Sequence, residues 1–439
     1  MKKNNFKQTE IGMIPEDWAV RTAGEFVDIE HGYAFKGEFF TDIPNGNILL
    51  TPGNFKIGGG FKKDKLKYTK EESPKDYVLK EGDIIVTMTD LSKEGDTLGY
   101  SAKVPASKGE KYLHNQRIGL LKFKSKEISP DFMYWILRTK KYNFFVVGSA
   151  TGSTVKHTSP NRIKQFIFGM PINVTEQQSI ASILGSLDSK IALNRSMNST
   201  LESIGQALFK HWFVDFEFPN EEGKPYKSSG GEMMETDIGE VPKGWRVGKI
   251  SDFGRIVCGK TPSKSNKEYF EGIIPFIKIP DMHNDVFVIK TEDSLTEKGK
   301  KFQENKTIPA NSVCVSCIAT VGLVCITDKD SQTNQQINSI VPEKSVYTYY
   351  LYYNISSMRE FLKILGSGGS ATLNINTGNF SNIDILIPSN EVLQKFHSTL
   401  NSSFMQIKNN LYQNENMSKI RDALLPKLMS GEIRVPANT

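Results

Sequence analysis

The chain has 439 residues, 38% hydrophobic and 24% charged, a composition typical of globular proteins long enough for two or more domains. It contains no apolar run of about 18 residues that could span a membrane and no N-terminal signal segment, so we expect a cytoplasmic protein. The formal net charge of +6 is mild and only weakly favours an anionic partner.

The sequence contains an internal duplication. Residues 9–18 read TEIGMIPEDW and residues 236–245 read TDIGEVPKGW, with Thr, Ile, Gly, Pro and Trp at the same spacing. Further segments match in the same order: HNQRIGLLKF (114–123) with TNQQINSIVP (333–342), DFMYWIL (131–137) with YYLYYNI (349–355), and GSATGSTVKH (148–157) with GSGGSATLNI (366–375). The period exceeds 200 residues, far longer than that of solenoid repeats.

Residues 1–173 are predicted to form a first globular domain. Short apolar runs such as NILLT (47–51), GDIIVTMT (82–89) and QFIFGMPI (165–172) are separated by Gly, Pro, Asn and Ser. This pattern predicts mostly strands and loops, with a short helix near SPDFMYWILRTKKY (129–142).

A long helix is predicted over residues 174–215. No proline occurs from Thr175 to Phe213, and Thr175 with Gln178 fits a capping box. Apolar residues then recur at the three-four spacing of a coiled-coil seam, interrupted by two asparagines. The predicted seam consists of Ile180, Leu184, Leu187, Ile191, Asn194, Asn198, Leu201, Ile204, Leu208 and Trp212.

Residues 216–388 are predicted to form a second domain of the same texture. Within it, GRIVCGKTP (254–262) matches the phosphate-loop pattern GxxxxGK[ST], which requires a buried strand before the first glycine and a helix after the Lys-Thr. Neither flank fits, and in the first copy Gly32 matches Gly259 but Tyr33 replaces Lys260. We interpret the match as a strand and a turn, with nucleotide hydrolysis as a weaker alternative function.

The four cysteines all lie in this second half, at Cys258, Cys314, Cys317 and Cys325, so no disulfide framework spans the chain. Cys314-x-x-Cys317 has the spacing of a zinc or redox site. However, SVCVSCIA (312–319) has the small and apolar residues of a buried strand. We therefore predict buried structural cysteines and no metal site.

A second helix and a C-terminal tail are predicted over residues 389–439, with Gly431 as the helix stop. Shifting the first seam by 216 positions gives a second seam that keeps both asparagines in register. Its members are Phe396, Leu400, Ile407, Asn410, Asn414, Met417, Ile420, Leu424 and Leu428, and Ser403 stands at the position of Leu187.

The two helices are predicted to pair with each other. A rod of this kind is about 55 Å long, and its apolar stripe is unstable without a partner. Duplicated units that associate through a two-fold contact place their helices antiparallel, with one globular domain at each end. The predicted fold class is therefore α+β: two similar domains of mixed strands and short helices, joined by two long antiparallel coiled-coil helices with internal pseudo-two-fold symmetry. The alternative is that each helix packs only on its own domain.

A rod that holds two similar but non-identical domains suits a ligand with two features at a fixed separation. Duplex DNA is such a ligand, because half-sites about 34 Å apart lie on one face of the duplex. Similar domains with divergent loops would read different sequences in inverted orientation.

On these features the chain resembles the specificity subunit of type I restriction-modification systems. The resemblance covers essentially the full length. The segments that carry it are the IGxxPxxW openings of both copies, GKTPS (259–263), the Asn-Gln pairs at 115–116 and 334–335, EQQSI (176–180), ALFKHWFVDFEFP (207–219) and LLPKLMSGEIRV (424–435).

The resemblance implies two target recognition domains that each read one part of a bipartite, asymmetric site on double-stranded DNA. It also implies two modification (methyltransferase) subunits docked on the helices, and restriction (translocase and nuclease) subunits. S-adenosylmethionine would be bound by the modification subunits, and ATP and Mg by the restriction subunits. The chain itself is expected to bind no cofactor and to be non-catalytic, because no Pro-Pro dipeptide of the amino-methyltransferase motif occurs in it.

Residues that read DNA are predicted from residue type and loop position. Glycine lets backbone approach phosphates, and amide or basic side chains pair with base edges. The first choice is the loop before the closing strand of each domain: Gly152, Ser153, Thr154, Lys156 and His157, and Gly369, Ser370, Thr372 and Asn374. The second choice is Arg117 and Gln336 beside the Asn-Gln pairs, although such pairs also bond the backbone of turns.

Several lysines are further candidates for phosphate contacts. They are Lys260 and Lys264, and the cluster Lys62, Lys63, Lys65 and Lys67. A solvated charged face explains this cluster equally well. Two other functions stay open at this point: a coiled-coil scaffold without a DNA role, and a DNA-reading subunit that serves a different effector.

Overall fold

The computed structural model of the chain describes residues 5–64, 66–72, 74–92, 94–107, 109–152, 155–237, 239–283, 285–367 and 372–436. The chain forms two compact units. Unit 1 contains Met1–Lys190 and Met417–Thr439, and unit 2 contains Ile191–Asn416.

Unit 1 begins with fifteen short strands and three short helices among its described residues. The strands are β1 (Phe6–Thr9), β2 (Gly12–Pro15), β3 (Trp18–Thr22), β4 (Val27–His31), β5 (Phe40–Thr41), β6 (Asn47–Leu49), β7 (Lys67–Thr69), β8 (Val78–Leu79), β9 (Ile84–Thr87), β10 (Thr89–Asp90), β11 (Ser101–Lys103), β12 (Lys111–Leu113), β13 (Ile118–Phe123), β14 (Lys156–His157) and β15 (Ile167–Pro171). The helices are α1 (Pro130–Ile136), α2 (Lys140–Val147) and α3 (Pro160–Lys164). The first long helix, α4 (Val174–Phe213), starts in unit 1 and ends in unit 2.

Unit 2 repeats this organisation with twelve strands and four short helices among its described residues. The strands are β16 (Met233–Thr236), β17 (Gly239–Pro242), β18 (Arg246–Lys249), β19 (Gly254–Cys258), β20 (Phe270–Ile277), β21 (Phe287–Val288), β22 (Asp293–Leu295), β23 (Val313–Ser316), β24 (Val324–Thr327), β25 (Gln332–Thr333), β26 (Ile337–Pro342) and β27 (Asp384–Ile387). The helices are α5 (Glu297–Phe302), α6 (Tyr347–Ser357), α7 (Arg359–Gly366) and α8 (Thr377–Ser381). The second long helix, α9 (Asn390–Met429), starts in unit 2 and ends in unit 1.

The sheets show that the duplication extends to topology. In unit 1 one sheet has the order β11-β9-β13-β4, and in unit 2 the corresponding strands follow the order β24-β23-β26-β19, with β21 added at the edge. The parallel pair β6 and β12 corresponds to the parallel pair β20 and β25. The closing strand pairs with the strand that begins at or directly after the tryptophan, as β15 with β3 and β27 with β18.

The long helices have the same length and register. Each has 40 residues, about 60 Å of helix, and both ends of α9 lie 216 positions after the ends of α4. The predicted long helices are thus confirmed. The start of α4 differs in detail, because the helix begins at Val174 and Asn173 is its cap: the Asn173 side chain accepts a hydrogen bond from the backbone N–H of Thr175 at 2.8 Å. The expected Thr175 capping box is wrong.

The two long helices pair antiparallel inside unit 2. The Asn194 side chain donates to Asn414 at 3.0 Å, and the Asn410 side chain donates to Asn198 at 2.8 Å. The partner number falls as the helix advances, which defines the antiparallel direction. All four asparagines are among those predicted to interrupt the seam, and a buried amide pair has its hydrogen bonds satisfied in only a few registers.

The same helices also meet inside unit 1. Asp188 of α4 accepts a hydrogen bond from Arg421 of α9 at 2.6 Å and one from Arg138, just after α1, also at 2.6 Å. Ile180 and Leu184 of α4 and Leu428 and Met429 of α9 belong to one buried cluster with the domain core. The alternative in which each helix packs only on its own domain is therefore wrong.

Most predicted seam residues are buried or half-buried, but Ile204 and Ile420 are exposed. Their exposed fractions are 54% and 49%. In each helix the next residue along the chain, Gly205 or Arg421, faces inward instead. A straight helix drifts by about 20° per heptad relative to a strict 3.5-residue repeat, so its buried face moves to the next residue. The buried members are Ile180, Leu184, Ile191, Asn194, Trp212, Phe396, Leu400, Ile407, Asn410, Asn414 and Leu428, and the half-buried ones are Leu187, Asn198, Leu201, Leu208, Met417 and Leu424.

The repeated IGxxPxxW opening is a structural element. Trp18 is fully buried, and a Cβ on Gly431, which has φ of 74° just after α9, would lie 2.4 Å from Pro15. The chain after this glycine is held by Arg434, which bonds both carboxylate oxygens of Asp17 and also Glu176. In unit 2, Trp245 stacks on Phe218 with ring centroids 5.0 Å apart. The motif therefore anchors the chain that leaves each long helix.

Candidate nucleic-acid interface

A backbone ladder in unit 1 brings together the two groups of predicted reading residues. The carbonyl of Arg117 accepts a hydrogen bond from the Met88 N–H at 2.9 Å, and the Met88 carbonyl accepts one from Thr158 at 3.0 Å. Strands β10 and β14 then place His157 opposite Thr89, with the imidazole Nδ1 3.1 Å from the threonine hydroxyl. Arg117 and His157, 40 positions apart in the sequence, therefore lie on one exposed edge.

A backbone pairing closes the loop before β14. Thr151 and His157 exchange backbone hydrogen bonds of 3.1 and 2.9 Å. Gly152 has φ of 96°, and a Cβ there would lie 2.0 Å from the carbonyl oxygen of Val155. This position therefore requires glycine. Ser153 and Thr154 lie outside the described residues.

The same ladder recurs in unit 2. The Gln336 carbonyl accepts from the Cys317 N–H at 2.8 Å, and the Cys317 carbonyl accepts from Ile375 at 2.9 Å. Ile318 pairs with Asn374, which corresponds to the pairing of Thr89 with His157. Thr372 and Asn374 are exposed, and Gly369 and Ser370 lie outside the described residues.

The two ladders carry different side chains on equivalent backbone. Arg117 is replaced by Gln336, and His157 by Asn374. Gln336 is half-buried, and its side-chain oxygen accepts a hydrogen bond from the Asn334 amide at 2.9 Å. Unit 1 thus presents an exposed cation where unit 2 presents a partly engaged amide.

The Asn-Gln pairs divide into a structural and an exposed member. Asn115 is buried and accepts from the Arg117 N–H at 3.0 Å, and Asn334 is buried and accepts from the Gln336 N–H at 3.1 Å. The structural interpretation is therefore correct for the asparagines. The glutamines Gln116 and Gln335 are exposed, and they were missed as candidates.

The glycine shared by GKTPS and its first copy is required by close packing. A Cβ on Gly259 would lie 2.1 Å from the Asn334 carbonyl oxygen, and one on Gly32 would lie 2.4 Å from the corresponding oxygen of Asn115. Residues 254–258, which a phosphate loop would need as a cradle, form strand β19, and no helix begins at Lys260-Thr261. The strand-and-turn interpretation of this match is confirmed.

We expect Gly259→Ala to lower the free energy of unfolding of unit 2 by about 1 to 3 kcal/mol, because the added methyl group has no space against the Asn334 backbone. Lys260→Ala is the control at the exposed neighbour and should leave stability nearly unchanged. Hydrogen exchange of unit 2 peptides under native conditions measures both effects. Loss of nucleotide binding in the lysine variant would instead favour the phosphate-loop function.

The lysine candidates occupy two surfaces. Lys260 and Lys264 are exposed in unit 2, and the Lys260 ammonium lies 5.9 Å from the centre of the Phe302 ring. In unit 1, Lys63 and Lys67 are exposed. Lys62 forms a 3.7 Å ion pair with Asp64, and Lys65 lies outside the described residues.

Asp90 adjoins the candidate interface and was not predicted from the sequence. Its buried carboxylate accepts hydrogen bonds from the N–H groups of Ser92 and Thr97 and from the Thr97 hydroxyl, at 2.6 to 2.8 Å. Burial alone would raise the pKa of Asp90, but these hydrogen bonds outweigh it and lower the pKa. The carboxylate therefore stays charged and fixes the turn beside Lys156, its partner on β14. The available signal was the Asp-x-Ser sequence, which is typical of Asx turns.

Three of the four cysteines, Cys314, Cys317 and Cys325, are buried as predicted, whereas Cys258 is half-buried. Cys314 and Cys325 lie opposite each other on β23 and β24, and both are buried. Burial raises the pKa of the Cys317 thiol to about 11, so it is protonated and unreactive near neutral pH. Within the described ranges, no three His, Cys, Asp or Glu side chains converge on a possible metal site.

The helices of the described part of the chain do not include one that is long and apolar enough to cross a membrane.

Comparison with known proteins identifies related sequences over both halves. The family model described as "Type I restriction modification DNA specificity domain" matches residues 15–203 and again 242–416. The "Type I restriction enzyme HindI specificity subunit" of Haemophilus influenzae is 38% identical over 377 residues, 74% of this chain and 82% of the relative. The MjaIX specificity subunit of Methanocaldococcus jannaschii is 28% identical over 458 residues, 99% and 97% of the two chains.

The fold is shared with a solved structure. The type I restriction-modification S subunit from M. genitalium matches with a TM-score of 0.57 at 14% identity, over 98% of each chain.

Proposed function

The chain belongs to the type I restriction modification DNA specificity family, and on that premise we propose that it is the subunit that directs such a complex to a bipartite, asymmetric DNA sequence. The domain of unit 1 reads one half of the sequence and the domain of unit 2 reads the other. This chain selects the site and leaves the chemistry to its partners.

The observation that carries the proposal is the repeated ladder with unlike side chains. Equivalent backbone hydrogen bonds position Arg117 and His157 in unit 1, and Gln336 and Asn374 in unit 2. Arginine pairs with guanine and amides pair with adenine at the major-groove edge. Two equivalent backbone ladders that carry different hydrogen-bonding side chains suit two different half-sequences.

The subunits that act with this chain are two methyltransferase subunits and, where restriction occurs, translocase and nuclease subunits. The methyltransferases supply S-adenosylmethionine, and the restriction subunits use ATP and Mg. The support for two equivalent partners is the duplication of the helices: Ile204 and Ile420 occupy equivalent positions 216 residues apart, and both are exposed apolar side chains. Repeated apolar positions suit two copies of one partner.

The test compares two affinities of the complex reconstituted with its methyltransferase subunits. One is measured for duplex that contains the sequence methylated by the complex, and the other for duplex of random sequence. A specificity subunit gives a ratio of about 10³ or more at physiological salt, and a scaffold gives none. A steep decrease of random binding with salt measures the phosphate contacts separately.

We expect Lys156→Ala to weaken cognate binding and to reduce the slope of log affinity against log salt by about 1, because one phosphate contact is lost. Lys126→Ala is the matched control, because Lys126 is an exposed lysine of the same unit. Arg117 directly precedes β13 and Lys126 follows it, and the strand between them is about 20 Å long. Unchanged affinity and slope in the Lys156 variant would remove this residue from the interface.

A further inference from the structure

Unit 2 carries an aromatic surface beside its reading ladder. The Phe302 ring, at the end of α5, stacks on Tyr269 with centroids 4.9 Å apart, and Phe302 is 54% exposed. The Lys260 ammonium lies 5.9 Å from the ring centre. We name Lys260, Tyr269 and Phe302 the α5 corner.

Buried amides hold the α5 corner rigid. The Gln303 side chain donates to the Lys260 carbonyl at 2.7 Å and to the Gln332 side-chain oxygen at 2.8 Å. The Gln332 amide in turn donates to the carbonyls of Lys300 and Gln303 and to the Thr307 hydroxyl. These hydrogen bonds therefore join the end of the helix to the turn at Lys260. As a result, the Phe302 side chain is held in a fixed position.

Close backbone packing fixes the other side of the stack. A Cβ on Gly299 of α5 would lie 2.3 Å from the Tyr269 carbonyl oxygen, so the helix rests directly on this residue. The Thr296 hydroxyl, at the N-cap of α5, donates to the Glu268 carbonyl at 2.6 Å. A side chain fixed before binding loses less conformational entropy when a ligand arrives.

The α5 corner is continuous with the candidate reading residues. Thr261, next to Lys260, donates from its hydroxyl to the Gln335 side chain at 2.6 Å, and Gln335 precedes Gln336 of the ladder. Two further lysines close in sequence to Lys260 and Phe302, Lys264 and Lys301, are exposed. The surroundings therefore favour a polyanion whose bases come within reach of Phe302.

Unit 1 has a different arrangement at this position. Tyr33 replaces Lys260, and its N–H donates to the His114 carbonyl just as the Lys260 N–H donates to the Thr333 carbonyl. Between β7 and β8, where α5 would be expected, the described residues contain no α-helix. The α5 corner thus belongs to one of the two recognition domains.

We propose that Phe302 is a specificity-determining residue that contacts the methyl group of a thymine in the half-site read by unit 2. The thymine methyl is the apolar group that bases present in the major groove, and an exposed aromatic ring beside lysines is suited to it. Lys260 contacts the adjacent phosphate. This inference rests on the proposed function.

The experiment measures binding of the complex reconstituted with its methyltransferase subunits to cognate duplexes in which single thymines are replaced by uracil, which removes only the methyl group. For the wild-type chain, one uracil in the half-site of unit 2 should lower affinity about 5-fold. Phe302→Ala should lower affinity for the thymine duplex by a similar factor and show no further loss with uracil. Sensitivity to uracils in the other half-site should be unchanged.

Met234→Ala is the matched control, because Met234 is an exposed apolar residue of the same unit on the β16–β17 hairpin; it should keep the uracil response of the wild type. If the alanine variant is unstable, Phe302→Tyr serves as the second variant. It preserves the ring and its stack on Tyr269, so it should keep the uracil response of the wild type.

Two results would overturn the inference while leaving the proposed function intact: a uracil response that persists in Phe302→Ala, or loss of the methyltransferase subunits from this variant with DNA preference unchanged. Absence of any sequence preference in the wild-type complex would instead reject the proposed function and this inference with it.

Discussion

Replacing residues 216–388 by the same segment of a family member with another target should change one half of the methylated sequence and leave the other half as it was. The reason is that the reading ladder of unit 2 lies wholly inside this segment, from Cys317 and Gln336 to Asn374. The ladder of unit 1 lies wholly inside residues 1–173. Methylation-aware sequencing of cells that express the chimaera with its methyltransferase subunits reads both halves at once.

The exchange depends on a few aromatic contacts at its boundaries. Phe213 of α4 packs against Tyr350 of the exchanged segment, with ring centroids 4.8 Å apart, and Tyr353 fits over Gly205, where a Cβ would lie 2.0 Å from the phenol oxygen. A donor segment with aromatic residues at these two positions should give a stable chimaera. The reciprocal exchange of residues 1–173 is the control and should alter the opposite half. A change in both halves after either exchange would contradict modular reading.

Asp188→Ala should destabilise unit 1 by about 3 kcal/mol, the largest effect that we expect from a single substitution outside the apolar core. Asp188 lies between two guanidinium groups, Arg138 and Arg421, each 2.6 Å away. The Arg138 side chain is 5% exposed, so removal of the carboxylate leaves a buried charge without this counterion. The value is at the low end of the range for buried pairs because the Asp188 side chain is 29% exposed.

The same contacts give the prediction a pH dependence. Burial alone would raise the pKa of Asp188, but the charges and hydrogen bonds of Arg138 and Arg421 outweigh it and lower the pKa. A lowered pKa stabilises the folded state above the unfolded value of about 3.9, and the contribution is lost as the pH falls through the folded pKa. The gap between wild type and Asp188→Asn should therefore be constant from pH 7 to about 5 and should shrink below pH 4.

Hydrogen exchange of unit 1 peptides across this pH range measures both effects. Asp131→Ala is the matched control, because Asp131 also forms a 2.6 Å ion pair in unit 1, with Lys103, but both side chains are well exposed. It should change stability by less than about 1 kcal/mol. Equal effects of the two substitutions would show that burial of the ion pair adds nothing.

The sequence alone determined the duplication and the long helices. Periodicity is a local property, so the spacing of Ile180, Leu184 and Ile191 was enough to place the first helix, and the shift of 216 placed the second. The two-fold relation of the duplicated units indicated the antiparallel direction of the helices. The seam asparagines, which coincide after the shift of 216 positions, are residues of the kind that fix the register of such a pair. Glycines were recognised as turn or corner residues, since the absence of a side chain is visible in the sequence itself.

Only the tertiary structure decided which distant residues share a surface. Arg117 and His157 meet through Met88, Asp188 lies between arginines 50 positions before it and 233 positions after it, and Phe302 is tied to Lys260 through a buried glutamine. The exposure of Ile204 and Ile420 likewise follows from the drift of a straight helix past its partner. Local patterns are set by neighbours along the chain, whereas these contacts are set by hydrogen bonds and packing between segments whose pairing no local pattern encodes.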